Sequence, residues 1–423
     1  MDIENGAYFR LQKLRRELKD FFKQREEVID GALVALLANA HLLLLGPPGT
    51  AKSLLASTLC AQLDGARFFY FWLNKFITWR ELACGQVIVR EETNGAGKSI
   101  HFINTEGQLL HAHIAVLDEI FKASSATANS LLSLLNERRY SINPGEMKTA
   151  PLLTVFAASN EMPGKDQDEL RAFSDRFLLR YEVDYISISQ EGESAFLDML
   201  AGSAVPPTTT ITLEGLYYLR SQADLVQFDR GLLGMISAIR AMLKLQHQIE
   251  PSDRRYREAL RAIKAYAFLN GHARVELEDL VILEHILWTT RERSEREAVR
   301  KVVHEVAGDP RLSQVVQLFV EAQQLHREAL RFLDDAARMV PFDEAQRRAH
   351  AQLLADAYQR EQRLTEIYQR IDTLIESATG AESLTTMRTF LNEVNVLRKS
   401  LVEKRGVENP FIEVNGWTQS ASA

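Results

Sequence analysis

Eight consecutive residues constrain this chain more than any others: Gly46-Pro47-Pro48-Gly49-Thr50-Ala51-Lys52-Ser53. They follow the apolar run 41–45 and precede a helical stretch that opens at Leu54. A glycine-rich loop between a strand and a helix is a phosphate cradle. Backbone N–H groups of the loop and of the first helical turn converge on one point. Pro47 and Pro48 carry no N–H, so the cradle falls to Gly49 through Ser53. In such a loop Lys52 spans the β- and γ-phosphates of a nucleotide, and the Ser53 hydroxyl ligates Mg²⁺. The candidate nucleotide-binding set is therefore Gly46, Pro47, Pro48, Gly49, Thr50, Ala51, Lys52, Ser53 and Leu54. Ala51 stands where the general pattern has its last glycine, and alanine fits there only with a helical φ.

The flanking pattern supplies the sheet from which such a loop grows. Apolar runs at 41–45, 67–73, 114–117, 152–157 and 177–181 alternate with helical periods, which predicts parallel strands with crossover helices. At roughly 150 residues per domain, 423 residues leave room for two or three domains. Residues 1–200 read as an α/β nucleotide-binding domain. It is led by a helix over 11–37 whose one face carries Leu11, Leu14, Leu18, Phe21 and Phe22. The small, polar, proline-bearing stretch 201–212 reads as a linker. Residues 213–300 follow as an all-helical lid, 301–408 as a helical, coiled-coil-like region, and 409–423 as a flexible tail. In the third segment Leu364, Ile367, Ile371 and Leu374 step by three and four. With Gly380 as a helix stop, they predict an antiparallel hairpin with Leu384, Met387, Leu391 and Val394.

A second chemical signal lies at the end of the run 114–117, where Asp118 and Glu119 close an apolar strand. Beside a phosphate loop, Asp118 can hold the Mg²⁺ shell and Glu119 can deprotonate the attacking water. Asn160 ends the next apolar run and can reach both that water and the γ-phosphate. Two arginines, Arg171 and Arg176, precede the last strand. A planar, permanently charged guanidinium suits the charge of phosphoryl transfer, though either arginine could serve only as a surface partner of Glu169 or Asp175. Gly97-Lys98-Ser99 imitates the end of a phosphate loop, but Glu92 occupies the place of its first glycine. Asn94-Gly95 predicts a β-hairpin there instead, between 86–90 and 100–103.

Composition excludes several alternatives. The net charge of -7 argues against a globally basic nucleic-acid binder. Two cysteines allow neither a disulfide framework nor a cysteine zinc cluster. The N-terminus shows no apolar signal run, and no stretch approaches 18 uncharged apolar residues, so a cytoplasmic location is expected.

In this order, the motifs resemble those of the AAA+ ATPases, and among them the MoxR family and its RavA-like branch. The residues that carry the resemblance are GPPGTAKS at 46–53, IAVLDEI at 114–120, LLSLLNERRY at 131–140, FAASNE at 156–161, AFSDRF at 172–177 and PSDRRY at 251–256. It covers about the first 300 residues. It implies a parallel-sheet ATPase domain, a helical lid and a ring, usually hexameric, using ATP and Mg²⁺. Lys52 and Ser53 then match Walker A, Asp118 and Glu119 Walker B, and Asn160 the first sensor. Arg176 matches the arginine finger, and whether Arg171 shares that role stays open. Arg254, with Arg255 as rival, matches the second sensor on the lid. The hairpin at 86–103 is similar to the family's helix-2 insertion. Beyond residue 300 the chain departs from RavA-like proteins, because it shows only helix where they carry a β-rich domain.

The expected function is Mg²⁺-ATP-driven remodelling of a client protein by a homo-oligomeric ring with chaperone-like action. The resemblance implies a von Willebrand factor A-domain partner. A nucleic-acid motor or loader of the helix-2-insert type is the alternative. It would need a basic, aromatic-bearing groove, whereas Arg90 and Lys98 are offset by Glu91 and Glu92. A nucleotide-dependent scaffold is the third reading, which measurable ATP turnover would exclude.

Overall fold

Four consecutive leucines form β1 (Leu42–Leu45), and all four are buried. A strand apolar at every residue belongs in the interior of a sheet covered on both faces. The structure, a computed structural model, describes residues 2–84, 106–141, 147–163, 168–202, 204–339, 343–377 and 381–408. The hairpin expected at 86–103 and the tail at 409–423 lie outside the described residues.

The chain enters β1 through α1 (Asp2–Phe21) and α2 (Glu26–Ala38), and leaves it through the glycine-rich loop into α3 (Lys52–Ala61). The single helix expected over 11–37 is thus two helices, because Gln24 takes a left-handed φ of 56° that ends the first. Next come β2 (Leu63–Asp64), β3 (Phe68–Trp72), α4 (Trp79–Cys84), β4 (Ile114–Asp118) and α5 (Ser125–Glu137). A short antiparallel pair, β5 (Arg139–Ser141) and β6 (Met147–Thr149), leads to β7 (Thr154–Ser159). Then follow α6 (Asp168–Ser174), β8 (Leu179–Glu182), α7 (Gln190–Leu200), β9 (Ile211–Thr212) and α8 (Leu213–Leu225). The main sheet has five parallel strands in the order β3-β4-β7-β1-β8. This is the α/β architecture that the apolar runs predict. Leu45 stands opposite Ser159 on one side and Glu182 on the other, so the loop after β1 emerges between the ends of β7 and β8.

The remaining helices are α9 (Arg230–His247), α10 (Asp253–Leu269), α11 (Arg293–Gly308), α12 (Pro310–Arg338), α13 (Glu344–Glu376) and α14 (Ala381–Glu408). They divide between two compact units in a way the sequence does not announce. One unit is Met1–Asp229 with Pro251–Val299; the other is Arg230–Glu250 with Arg300–Ala423. The stretch 201–212, read as a linker, is stitched into the first unit. Thr208 and Thr209 donate backbone N–H groups to the Glu17 carboxylate at 2.9 Å, and β9 pairs with β2. The segment 213–300, read as one lid, is shared: α8 and α10 pack on α2 in the first unit, and α9 packs on α12 in the second.

The second unit adds a third long helix to the expected pair, since α13 packs on α14 and both pack on α12. The seam residues Leu364, Ile367 and Ile371 are buried, as are Met387, Leu391 and Val394. The Phe319 ring of α12 meets Phe390 of α14 at 4.8 Å. Asp309 caps α12, whose first residue is Pro310, a position where a missing N–H costs nothing. Gly234 of α9 lies under the Gln317 side chain of α12, whose Nε2 would be 2.3 Å from a Cβ there.

Candidate active site

The loop after β1 is shaped by close approach and by positive φ. Gly46 donates its N–H to Ser159 O at 3.0 Å. A Cβ on Gly46 would fall 2.1 Å from the Val183 carbonyl oxygen, so only glycine fits there. Ala51 has φ 63°, in the left-handed region rather than the right-handed helical one expected. The loop turns back at this residue to start α3, which is why the general pattern prefers glycine here. A left-handed alanine costs about 1–2 kcal/mol. Lys52 Nζ curls into the loop and donates to Gly46 O at 2.8 Å and Pro47 O at 2.7 Å. Burial pushes its amine pKa down, Asp118 and Glu119 oppose that shift, and Arg291 adds to it.

Asp118 and Glu119 end β4, two strands from the loop. Asp118 Oδ1 accepts the Glu119 N–H at 2.9 Å, and Oδ2 accepts the Tyr70 hydroxyl at 3.2 Å. The Tyr70 phenol also shares a hydrogen bond with the Ser53 side chain. Ser53 and Asp118 therefore present their oxygens around one phenol hydroxyl. This all-oxygen donor set has the hardness that Mg²⁺ requires, so the residues fit that ion. Burial, then the Asp118 charge, raises the Tyr70 pKa. Sequence reasoning missed Tyr70; its signal was the unbroken aromatic run Phe68–Trp72 on an edge strand.

Glu119 takes φ 53°, a strained conformation for a residue with a Cβ. Its Oε1 accepts from Asn160 Nδ2 at 3.2 Å, and its Oε2 lies 3.2 Å from Lys122 Nζ without a hydrogen bond. Lys52, Ser53, Asp118, Glu119 and Asn160 thus gather at the C-terminal ends of β1, β4 and β7. A cavity of about 930 Å³ adjoins them, lined by Gly49, Thr50, Ala51 and Leu54 of the loop and by Phe22, Tyr185, Phe196 and Met199.

The arginines are placed differently. Arg176 lies just before β8, at the N-terminal end of the sheet, opposite the loop. Arg254 is beside it: burial and the charge of Arg254 both lower the Arg176 pKa, against Asp175 and Glu258. Arg176 Nε is buried without a hydrogen-bond partner, and Arg254 pairs with Glu258 at 2.8 Å. Arg171 is exposed on α6. Arg255 differs in kind. Its side chain is 1% exposed and donates to Ile286 O at 2.8 Å, Leu178 O at 2.7 Å and Phe177 O at 3.2 Å. This fan ties the start of α10, and Arg254 with it, to the segment that leads into β8. The cation that does stand near Lys52 is Arg291, which belongs to no recognised motif.

A family model described as the MoxR domain in the MoxR-vWA-beta-propeller ternary systems matches residues 9–203, and one described as an AAA lid domain matches residues 231–303. Two uncharacterized proteins of Methanocaldococcus jannaschii are each 38% identical over 280 residues. The match covers 66% of this chain and 70% or 71% of those proteins. Chaperone MoxR1 of Mycobacterium tuberculosis is 27% identical over 184 residues, covering 43% of this chain and 46% of that protein. A solved structure from Cytophaga hutchinsonii, described as that of an ATPase, superposes with a TM-score of 0.56 at 16% identity. It covers 72% of this chain and 95% of its own.

Proposed function

Because the chain belongs to the MoxR-type AAA+ ATPases, we propose that it hydrolyses Mg²⁺-ATP in a homo-oligomeric ring, hexameric as is usual for the class, and spends that energy remodelling a client protein. The observation that carries the catalytic part is the gathering of a loop lysine, an all-oxygen metal set and a held carboxylate. Glu119 is the group that takes the proton of the attacking water, and Asn160 orients it through Oε1. Lys52 leaves the loop carbonyls for the β- and γ-phosphates. Ser53 and Asp118 would hold Mg²⁺, which when bound offsets phosphate charge. The cavity beside the loop takes the nucleoside.

The placement of Arg176 supports the ring. The residue lies at the end of the sheet away from its own loop, so a role on ATP requires a neighbour's nucleotide. Arg254, beside it, joins that role, with Arg171 as an exposed auxiliary. Placement in the RavA-like branch rests on the resemblance of the motif set from 46–53 to 251–256 as a whole. A von Willebrand factor A-domain partner is proposed because the matching family model is described with one. Among the described residues no helix is long and apolar enough to cross a membrane, which accords with work on a client in the cytoplasm.

The test is a pair of variants. Lys52→Ala should lose ATP binding. Glu119→Gln should keep binding and lose turnover by roughly 10²-fold or more, the range of a general base. A Glu119→Gln protein trapped with ATP should also retain its client on purification. Wild-type turnover in either variant would overturn the assignment of the site.

A further inference from the structure

Arg291 lies in the stretch that joins the short helix Leu277–His285 to α11, and its guanidinium takes partners from two strands. Nη1 donates to the Asn160 carbonyl just beyond β7, and Nε lies 3.3 Å from Glu182 Oε1 at the end of β8. β7 and β8 are the two neighbours of β1. A side chain bonded beyond both of their ends spans the end of β1, where Gly46 begins the phosphate loop. The side chain keeps 38% exposure. Its field is felt at Lys52.

The charges around it do not balance. Glu182 also pairs with Arg296 through its other oxygen. One carboxylate therefore serves two guanidiniums, and the other acceptor of Arg291 is a neutral carbonyl. The backbone around Arg291 is fixed in advance: Thr290 N–H and the Thr289 hydroxyl both donate to Glu295 Oε1, at 3.2 and 2.9 Å. A rigidly presented cation with half a counter-charge beside a phosphate cradle is an anion contact awaiting its anion.

We propose that Arg291 binds the terminal phosphate of ATP in its own subunit, exchanging the Asn160 carbonyl for a phosphate oxygen. The proposal rests on the P-loop reading above. It also couples the nucleotide to Asn160, whose side chain holds Glu119. Arg176 and Arg254 act on a neighbour's nucleotide in that reading, whereas Arg291 acts on its own.

The test is equilibrium binding of a non-hydrolysable ATP analogue and of ADP to the full-length chain. Arg291→Ala should weaken the analogue by about tenfold to a hundredfold, the worth of a hydrogen bond between charged groups, and leave ADP nearly unchanged. Arg291→Lys should recover part of the loss. Glu182→Gln should not reproduce it. Equal weakening of both nucleotides with a lowered melting temperature, or the same defect in Glu182→Gln, would show a structural clamp and overturn the proposal. Should the alanine variant not fold, Arg291→Lys carries the same ratio test, and an unchanged ratio there counts against Arg291. Lys52→Ala separates the two levels. If it leaves analogue binding intact, the P-loop reading falls and Arg291 with it. If it abolishes binding while Arg291→Ala keeps the wild-type ratio, only Arg291 falls.

Discussion

The two ends of the sheet are chemical opposites. At the C-terminal ends of the strands stand the phosphate loop, Asp118, Glu119 and Asn160, tied to one another by short polar contacts. At the N-terminal ends stand His41, Arg138, Arg176, Arg254 and Arg255, and their burial lowers the proton affinity of His41, Arg138, Arg176 and Arg255. Asp175 and Glu258 are the carboxylates beside them. Arg255 has a use within one chain, tying α10 to the segment before β8, whereas Arg176 and Arg254 stand where their own chain's phosphates cannot come. An assembly in which one copy's basic end meets the next copy's loop turns that placement into a composite site.

The sharpest way to break this contrast is to disable each end in a different chain. Arg176→Ala should lower ATPase turnover by roughly 10³-fold or more, the worth of an arginine finger, with ATP binding retained. Mixed with Glu119→Gln chains, it should recover part of the activity, because some junctions then combine an intact Glu119 with an intact Arg176. Absence of recovery in verified mixed assemblies would confine Arg176 to a structural role. A milder contrast separates neighbours on the basic end. Arg255→Met should lower stability by about 3–5 kcal/mol, since it leaves Asp175 and several carbonyls without their partner in a buried site. Arg254→Met should leave thermal stability close to wild type and lower turnover instead. Similar melting curves for both would erase the distinction.

The smallest expected effect is a pH dependence at the basic end. His41 is fully buried. Its Nδ1 accepts the Val155 N–H at 2.9 Å, which leaves Nε2 facing Leu135 O at 3.0 Å. Burial, then the nearby Arg138, holds its pKa well below the usual histidine value. The unfolded chain takes up a proton there near pH 6.5 while the native state stays neutral. The contribution of His41 is therefore complete above that pH and is lost as pH falls below it, by about 1.4 kcal/mol per unit at the steepest. In denaturant titrations between pH 7.5 and about 5, His41→Gln should show a shallower loss than wild type.

Much of the sheet and its loop was legible because local pattern determines it. Leu42–Leu45, the glycines and the Asp118-Glu119 pair announce themselves through periodicity and spacing. What was not legible is where distant segments return. PSDRRY reads as one motif, yet Arg254 pairs with Glu258 on its own helix while Arg255 is buried among Asp175, Phe177, Leu178 and Ile286, which only the return of distant segments brings there. Arg291 and Tyr70 carry no motif, because their positions at the site come from strand order rather than sequence neighbours. The conformation of Ala51 was misjudged, since its φ answers to the turn of the whole loop and not to alanine's own preference.

The seating of α9 against α12 has a consequence for how the chain is made. The apolar face of α9 carries Leu232, Met235, Ile239 and Met242, and the helix is complete at His247. The helix that covers this face ends at Arg338. At about 5–20 residues per second, the ribosome leaves that face without its partner for on the order of five to twenty seconds. The sheet-bearing unit, meanwhile, needs only Val299 to be finished. Synthesis order thus leaves α9, which emerges between two segments of the sheet-bearing unit, as the helix most in need of protection on a nascent chain.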